Sequence, residues 1–100
     1  MWILQTKSVG GDEGLTFRVM PEGIKTLGRA VRADFIVEAP LVSRLHCRFT
    51  AHACGELEIE DLRSTNGTFV NDRRIKRASL TARDRVRVGR VELTVDRSSS

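Results

Sequence analysis

Residues 85–95 read RVRVGRVELTV. Val86 and Val88 alternate with Arg85 and Arg87. Past Gly89, Val91, Leu93 and Val95 alternate with Glu92 and Thr94. Period-two alternation with one polar side marks antiparallel strands that are wet on one face. Gly89 supplies the tight turn between the two arms, so the stretch reads as a hairpin. The same rhythm recurs upstream. Leu15, Phe17 and Val19 alternate with Thr16 and Arg18, and Leu57 and Ile59 with Glu56, Glu58 and Glu60. A first strand begins almost at Met1, with Trp2 and Leu4 on one face and Ile3 on the other. Breakers punctuate these runs: Gly10-Gly11-Asp12-Glu13-Gly14, Pro21-Glu22-Gly23, Ala53-Cys54-Gly55, Asn66-Gly67, Asn71-Asp72 and Gly89. Short strands at this spacing predict an all-β fold, a sandwich or barrel. No segment carries a three-turn amphipathic helix, and residues 78–84, ASLTARD, have room for a single turn at most.

One hundred residues make one domain. Apolar residues are 40% of the chain, enough for a single modest core. Only five residues are aromatic, with no Tyr. Trp2, Phe17, Phe35, Phe49 and Phe69 all sit in apolar patterns that read as core. That leaves few rings for stacking on single-stranded nucleic acid. Lys plus Arg exceeds Asp plus Glu by 17 to 13, and Arg far outnumbers Lys. A moderately basic surface suits an anionic partner, and the guanidinium fork suits phosphate and carboxylate. The same charge also fits an ordinary solvated surface. Two cysteines are too few for a disulfide framework. There is no apolar run of membrane length, and MWILQTKSVGG turns polar after four residues, unlike a signal peptide. A reducing, intracellular setting without direct membrane insertion is the expectation. Residues 97–100 read as the start of a flexible linker or the end of a cloned piece.

Several constellations could carry chemistry. Ser43, His46 and Asp61 are the residue types of a hydrolase triad, but no G-x-S-x-G elbow surrounds a serine. His46, Cys47, His52 and Cys54 are metal-ligand types in the wrong spacing for a zinc finger. If residues 46–51 form a strand, His46 and Cys47 point to opposite faces, and Cys47 alternates with Phe49 as a small hydrophobe would. No P-loop or G-x-G-x-x-G is present. Asn66-Gly67-Thr68 matches the glycosylation pattern, which goes unused without secretion. A further set is spread over three loops. Gly28-Arg29 follows GIKTL, Ser43, Arg44 and His46 follow DFIVEAPLV, and Thr65-Asn66-Gly67 follow ELEIEDL. Loops at one end of a sandwich cluster in space. One rim could then hold two arginines, two hydroxyls and an amide, which suits phosphate on a peptide. The competing reading is that these are ordinary turn residues.

LGR (27–29), VSRLH (42–46), DLRSTNGTFVN (61–71) and DRVRVG (84–89), in this order and spacing, resemble the forkhead-associated domain. The resemblance spans roughly residues 15–95. It implies an eleven-stranded antiparallel β-sandwich that binds phosphothreonine peptides through loops at one end, without catalysis or cofactor. Residues 1–96 would be that domain. By position, Arg29 and Ser43 resemble the main phosphate ligands and Arg44 a neighbour that contacts phosphate or peptide backbone. Thr65 resembles a residue that supports or contacts the phosphate, and Asn66 one that bonds the peptide main chain. Gly28, His46 and Gly67 match positions that shape the loops. Ser64 and Thr68 remain assigned to local turn hydrogen bonds. Leu41 stands where some members place an arginine that reads an acidic side chain three residues after the phosphothreonine. An acidic preference there is not expected. Asn71-Asp72 stands where the family often has Asn-Gly. The implied partner is a phosphothreonine protein bound by a monomer, with no small-molecule substrate and no direct nucleic-acid contact. The alternative is a sandwich that scaffolds or dimerises independently of phosphate. MWIL at the start resembles nibrin-like repair proteins, which are nuclear. The Arg- and Ala-rich wording resembles bacterial members, which are cytoplasmic and serve Ser/Thr kinases.

Overall fold

The computed structural model describes residues 1–6 and 14–98. The glycine-rich stretch 10–13 and Ser99-Ser100 lie outside the described residues. Eleven strands follow in chain order: β1 Trp2–Thr6, β2 Thr16–Val19, β3 Ile24–Gly28, β4 Phe35–Ile36, β5 Cys47–Ala51, β6 Leu57–Asp61, β7 Thr68–Val70, β8 Arg73–Ile75, β9 Arg77–Leu80, β10 Arg85–Val88 and β11 Val91–Arg97. They form two sheets, β2-β1-β11-β10-β7-β8 and β4-β3-β5-β6-β9. All pairings are antiparallel except the short parallel pair β3–β4. Among the described residues there is no helix, hence none long and apolar enough to cross a membrane.

The expected sandwich is therefore present, and its core comes from the inward sides of the alternating strands. Leu4, Val86, Val88, Leu93 and Val95 from one sheet meet Leu27, Cys47, Phe49, Leu57 and Ile59 from the other, all fully buried. Each such aliphatic or aromatic side chain stabilises the fold by about 1.5–3 kcal/mol on burial. The hairpin at 85–95 closes with Val88 opposite Val91 and Gly89 at φ +59°.

Four local readings are corrected. Residues 77–80 form strand β9 against β6, because Ala78 and Leu80 alternate inward; only Thr81–Asp84 is a turn. Phe69 is not a core ring. Thr68 and Val70 take the inward positions of β7, and Phe69 lies on the outer face with Arg87 stacked on it at 4.2 Å. Leu15 precedes β2 and is 45% exposed. DFIVEAPLV yields only the two-residue β4, so Ser43 lies well past a strand end rather than at one. The Asn71-Asp72 turn joins β7 to β8 with both residues at positive φ, 49° and 69°, as a primed hairpin turn requires.

The outward face of the five-stranded sheet carries charge. Arg48 and Arg77 flank Glu60, and Arg77 also approaches Glu58. The sheet edges are short: β4, β8, β2 and β9 have two, three, four and four residues. Arg18, Arg73, Arg74 and Arg77 stand on three of them.

The two cysteines differ sharply. Cys54 is exposed, whereas Cys47 is buried in the core. Burial, with the Asp61 charge adding to it, pushes the Cys47 thiol far above the usual cysteine range. The thiolate is the reactive form. A disulfide reagent at neutral pH should therefore titrate Cys54 in the folded protein and Cys47 only after unfolding in urea. Two rapidly reacting thiols in the native state would contradict this placement.

Candidate functional site

The loops after β3, before β5 and between β6 and β7 meet at one end of the sandwich. β6 and β7 belong to different sheets, so residues 62–67 cross from one sheet to the other. Backbone bonds continue the β3 pairing outward: Arg29 N–H donates to Ser43 C=O at 3.0 Å and Ala30 N–H to Arg44 C=O at 3.1 Å. Gly28 allows this approach. A Cβ there would lie 2.0 Å from the Arg44 carbonyl oxygen, so any side chain would push the Ser43–Arg44 segment away.

His46 joins two of the loops. It is fully buried. Its Nδ1 accepts the Ser43 N–H at 3.0 Å, which leaves Nε2 as the protonated nitrogen, donating to Gly67 C=O at 2.8 Å. Gly67 takes φ +88°, a left-handed conformation that suits glycine. A second set of bonds holds the β6–β7 loop from inside. Asp61 accepts from Ser64 Oγ at 2.5 Å, from Ser64 N–H at 3.2 Å and from Thr68 Oγ1 at 2.7 Å. Ser64 Oγ in turn accepts Gly67 N–H at 3.0 Å. Ser64 and Thr68 thus hold the loop, as their positions suggested. Asp61, which the sequence offered only as a triad residue, is the centre of that scaffold. Its signal was the D-x-x-S spacing of a side chain that folds back on its own turn.

What the loops present outward is a different set. Ser43 Oγ accepts Thr65 N–H at 3.0 Å, which leaves its own proton available to donate. Asn66 Nδ2 donates to Leu41 C=O at 3.1 Å, keeping Oδ1 and a second N–H available. Leu41 itself sits at φ +73° and is 47% exposed. Arg29, Leu41, Val42, Ser43, Thr65 and Asn66 line one depression of about 220 Å³. Arg44 lines a neighbouring depression of about 530 Å³ with Arg29 and Arg32, a residue that the sequence did not single out. Gly28, His46 and Gly67 lie beneath these surfaces, all three buried.

The competing chemistries do not assemble. His46 Nδ1 is engaged by a backbone N–H rather than by Ser43 Oγ, and Asp61 bonds Ser64 and Thr68. Both ring nitrogens of His46 are occupied, Cys47 is in the core, and His52 and Cys54 are exposed at the β5–β6 turn. Among the described residues no three potential metal ligands come together.

Burial alone would raise the Asp61 carboxyl, but hydrogen bonds from Ser64 and Thr68 outweigh it and hold the group below the usual carboxylate range. A carboxyl lowered on folding contributes stability above its unfolded value near 4, and that contribution fades as pH falls through the folded value. Asp61→Asn should therefore lower the urea midpoint clearly at pH 7 and much less at pH 3, relative to wild type at each pH. An equal loss at both would show that the charge does not matter.

The FHA domain family model matches residues 25–89. An ABC transporter ATP-binding/permease protein of Mycobacterium tuberculosis is 39% identical over 74 residues, which are 74% of this chain and 8% of that protein. The glycogen accumulation regulator GarA of Mycolicibacterium smegmatis is 31% identical over 84 residues, 84% of this chain and 52% of GarA. The chain thus spans about half or less of these relatives. Among solved structures, the FhaA FHA domain, in complex with the intracellular domain of another protein, superposes with a TM-score of 0.83 at 29% identity. That match covers 95% of this chain and 99% of that one. The matched residues include the β3 end, the Ser43 loop and the β6–β7 loop, and the chain belongs to the FHA domain family.

Proposed function

We propose that the chain recognises phosphothreonine on a partner protein after a Ser/Thr kinase has acted, and that it does so by binding alone, without catalysis. One observation carries the reading: Arg29, Ser43, Thr65 and Asn66 converge on a single small depression, and among the described residues the Arg29 guanidinium has no acidic partner. Phosphothreonine brings about −1.5 to −2 charges. Arg29 and the free Ser43 hydroxyl proton donate to its oxygens, with Thr65 beside them and Arg44 at the rim. Each charge-assisted bond is worth about 1.5–3 kcal/mol net. Asn66 bonds the peptide main chain with its remaining amide groups. Leu41 and Val42 line the same depression and offer contact to the threonine methyl, worth about 0.8 kcal/mol by area. The uncharged Leu41 gives no reason for an acidic preference three residues after the phosphothreonine. A complex between the FhaA FHA domain and an intracellular domain supports a protein partner met inside the cell.

A test starts with an oriented phosphothreonine peptide library. Its best sequence is then titrated calorimetrically as the phosphothreonine, phosphoserine and unphosphorylated peptides. Phosphothreonine should bind, the unmodified twin should not, and phosphoserine should be several-fold weaker. Arg29→Ala and Ser43→Ala should each weaken binding at least tenfold, with urea midpoints confirming that both remain folded. Equal binding of modified and unmodified peptide would sink the function. Unchanged affinity in Arg29→Ala would sink the site.

A further inference from the structure

The depression beside the proposed phosphothreonine site is larger than that site and more basic than one phosphate requires. About 530 Å³ lies between Arg29, Ala30, Val31, Arg32 and Arg44. Its floor is fixed by the fold. Ala30 N–H bonds Arg44 C=O, Ala33 N–H closes a turn on Ala30 C=O at 3.0 Å, and Ala33 is buried. Val31 and Arg32 therefore stand at the corner of an anchored turn, both exposed. The nearest carboxylate in sequence, Asp34, is occupied elsewhere: it accepts Thr26 N–H at 2.8 Å and Thr26 Oγ1 at 3.1 Å. Among the described residues no side-chain hydrogen bond or ion pair involves Arg29, Arg32 or Arg44, in contrast to Arg48, Arg77 and Arg85, which meet Glu60 or Asp72.

Charge decides what is missing. Three arginines line this region, and a phosphothreonine supplies about −1.5 to −2. A surplus of about one positive charge remains when the phosphate is bound. The surface that meets the proposed site at Leu41 is unlike it: Ala39, Pro40, Leu41 and Arg90 line a depression of about 300 Å³, with Arg90 as its one cation.

The geometry points to a second oxyanion subsite, in which Arg32 and Arg44 take a carboxylate or phosphoryl group. The same peptide carries that group, on the side of its phosphothreonine away from Leu41. This rests on the phosphothreonine reading given above. It adds a specificity-determining residue, Arg32, and a polarity: the ligand is acidic on one flank of its phosphothreonine only.

The test uses a phosphothreonine peptide whose flanks are otherwise uncharged. Glutamate is placed in turn at each of four positions before and four after the phosphothreonine, and a second phosphothreonine at the best of them. Affinities are read by fluorescence anisotropy at about 0.15 M salt, where long-range attraction is screened beyond about 8 Å. An added oxyanion should gain about tenfold on one flank only, and the phosphoryl arm against the glutamate arm shows which source the subsite prefers. Arg32→Gln should reduce that gain to less than twofold while the parent peptide binds within twofold of wild type. Arg90→Gln, which removes one charge from the other flank, should leave the gain intact. Equal gains on both flanks, no gain at any position, or a gain that survives Arg32→Gln would overturn the subsite while leaving the parent site standing. Failure of the parent peptide to bind in a phosphate-dependent way would overturn both.

Discussion

The site depends on one buried imidazole. His46 accepts a hydrogen bond from the Ser43 backbone N–H and donates one to the Gly67 carbonyl, so one rigid buried ring ties together two loops from different parts of the chain. The β5–β6 ladder reaches only to Leu62, whose N–H donates to His46 C=O at 2.9 Å. Residues 62–67 leave one sheet and enter the other, and their placement comes from His46 above and Asp61 within. His46, Ser64 and Thr68 are buried, and an unsatisfied polar group in the interior costs about 1–3 kcal/mol. The loops can occupy few other positions that keep all three satisfied.

That constraint is felt at the surface. Ser43 Oγ already bonds Thr65 N–H, and Asn66 already bonds Leu41 C=O, before any peptide arrives. The outward groups are held by bonds that do not use their remaining donors. On the proposed reading, a peptide meets Ser43 and Asn66 side chains already ordered during folding, which reduces the entropy lost on association.

Much of this was legible in the sequence where side chains carry strong local signals. The 85–95 hairpin stood out because Val and Leu alternate with charge around a glycine. β9 did not, because Ala78 and Ser79 are too small to mark an inside and an outside. Phe69 misled because an aromatic ring on a strand suggests core. Its register partners Arg74 and Arg87 give it a cover on the outer face instead. The residue types of the site could be named, and so could the loops they occupy. That these loops share one rim was expected from sandwich geometry; how they are tied was not legible, because His46 acts through the Ser43 and Gly67 backbone, which leaves no pattern in side-chain spacing. Arg32 lacked any mark, since only the turn through Ala33 brings it beside Arg29 and Arg44.

The sheet edges have a consequence for how such a molecule meets others. An open strand edge is a template onto which a second chain can add by backbone pairing. Among the described residues every edge strand is four residues or fewer, and three of the four bear arginine. Another strand would gain few backbone bonds and would bring its own chain against fixed positive charge. The flanks of the sandwich thus discourage generic strand-to-strand adhesion, and association is left to the loop end, where the chemistry of the incoming group can be discriminated.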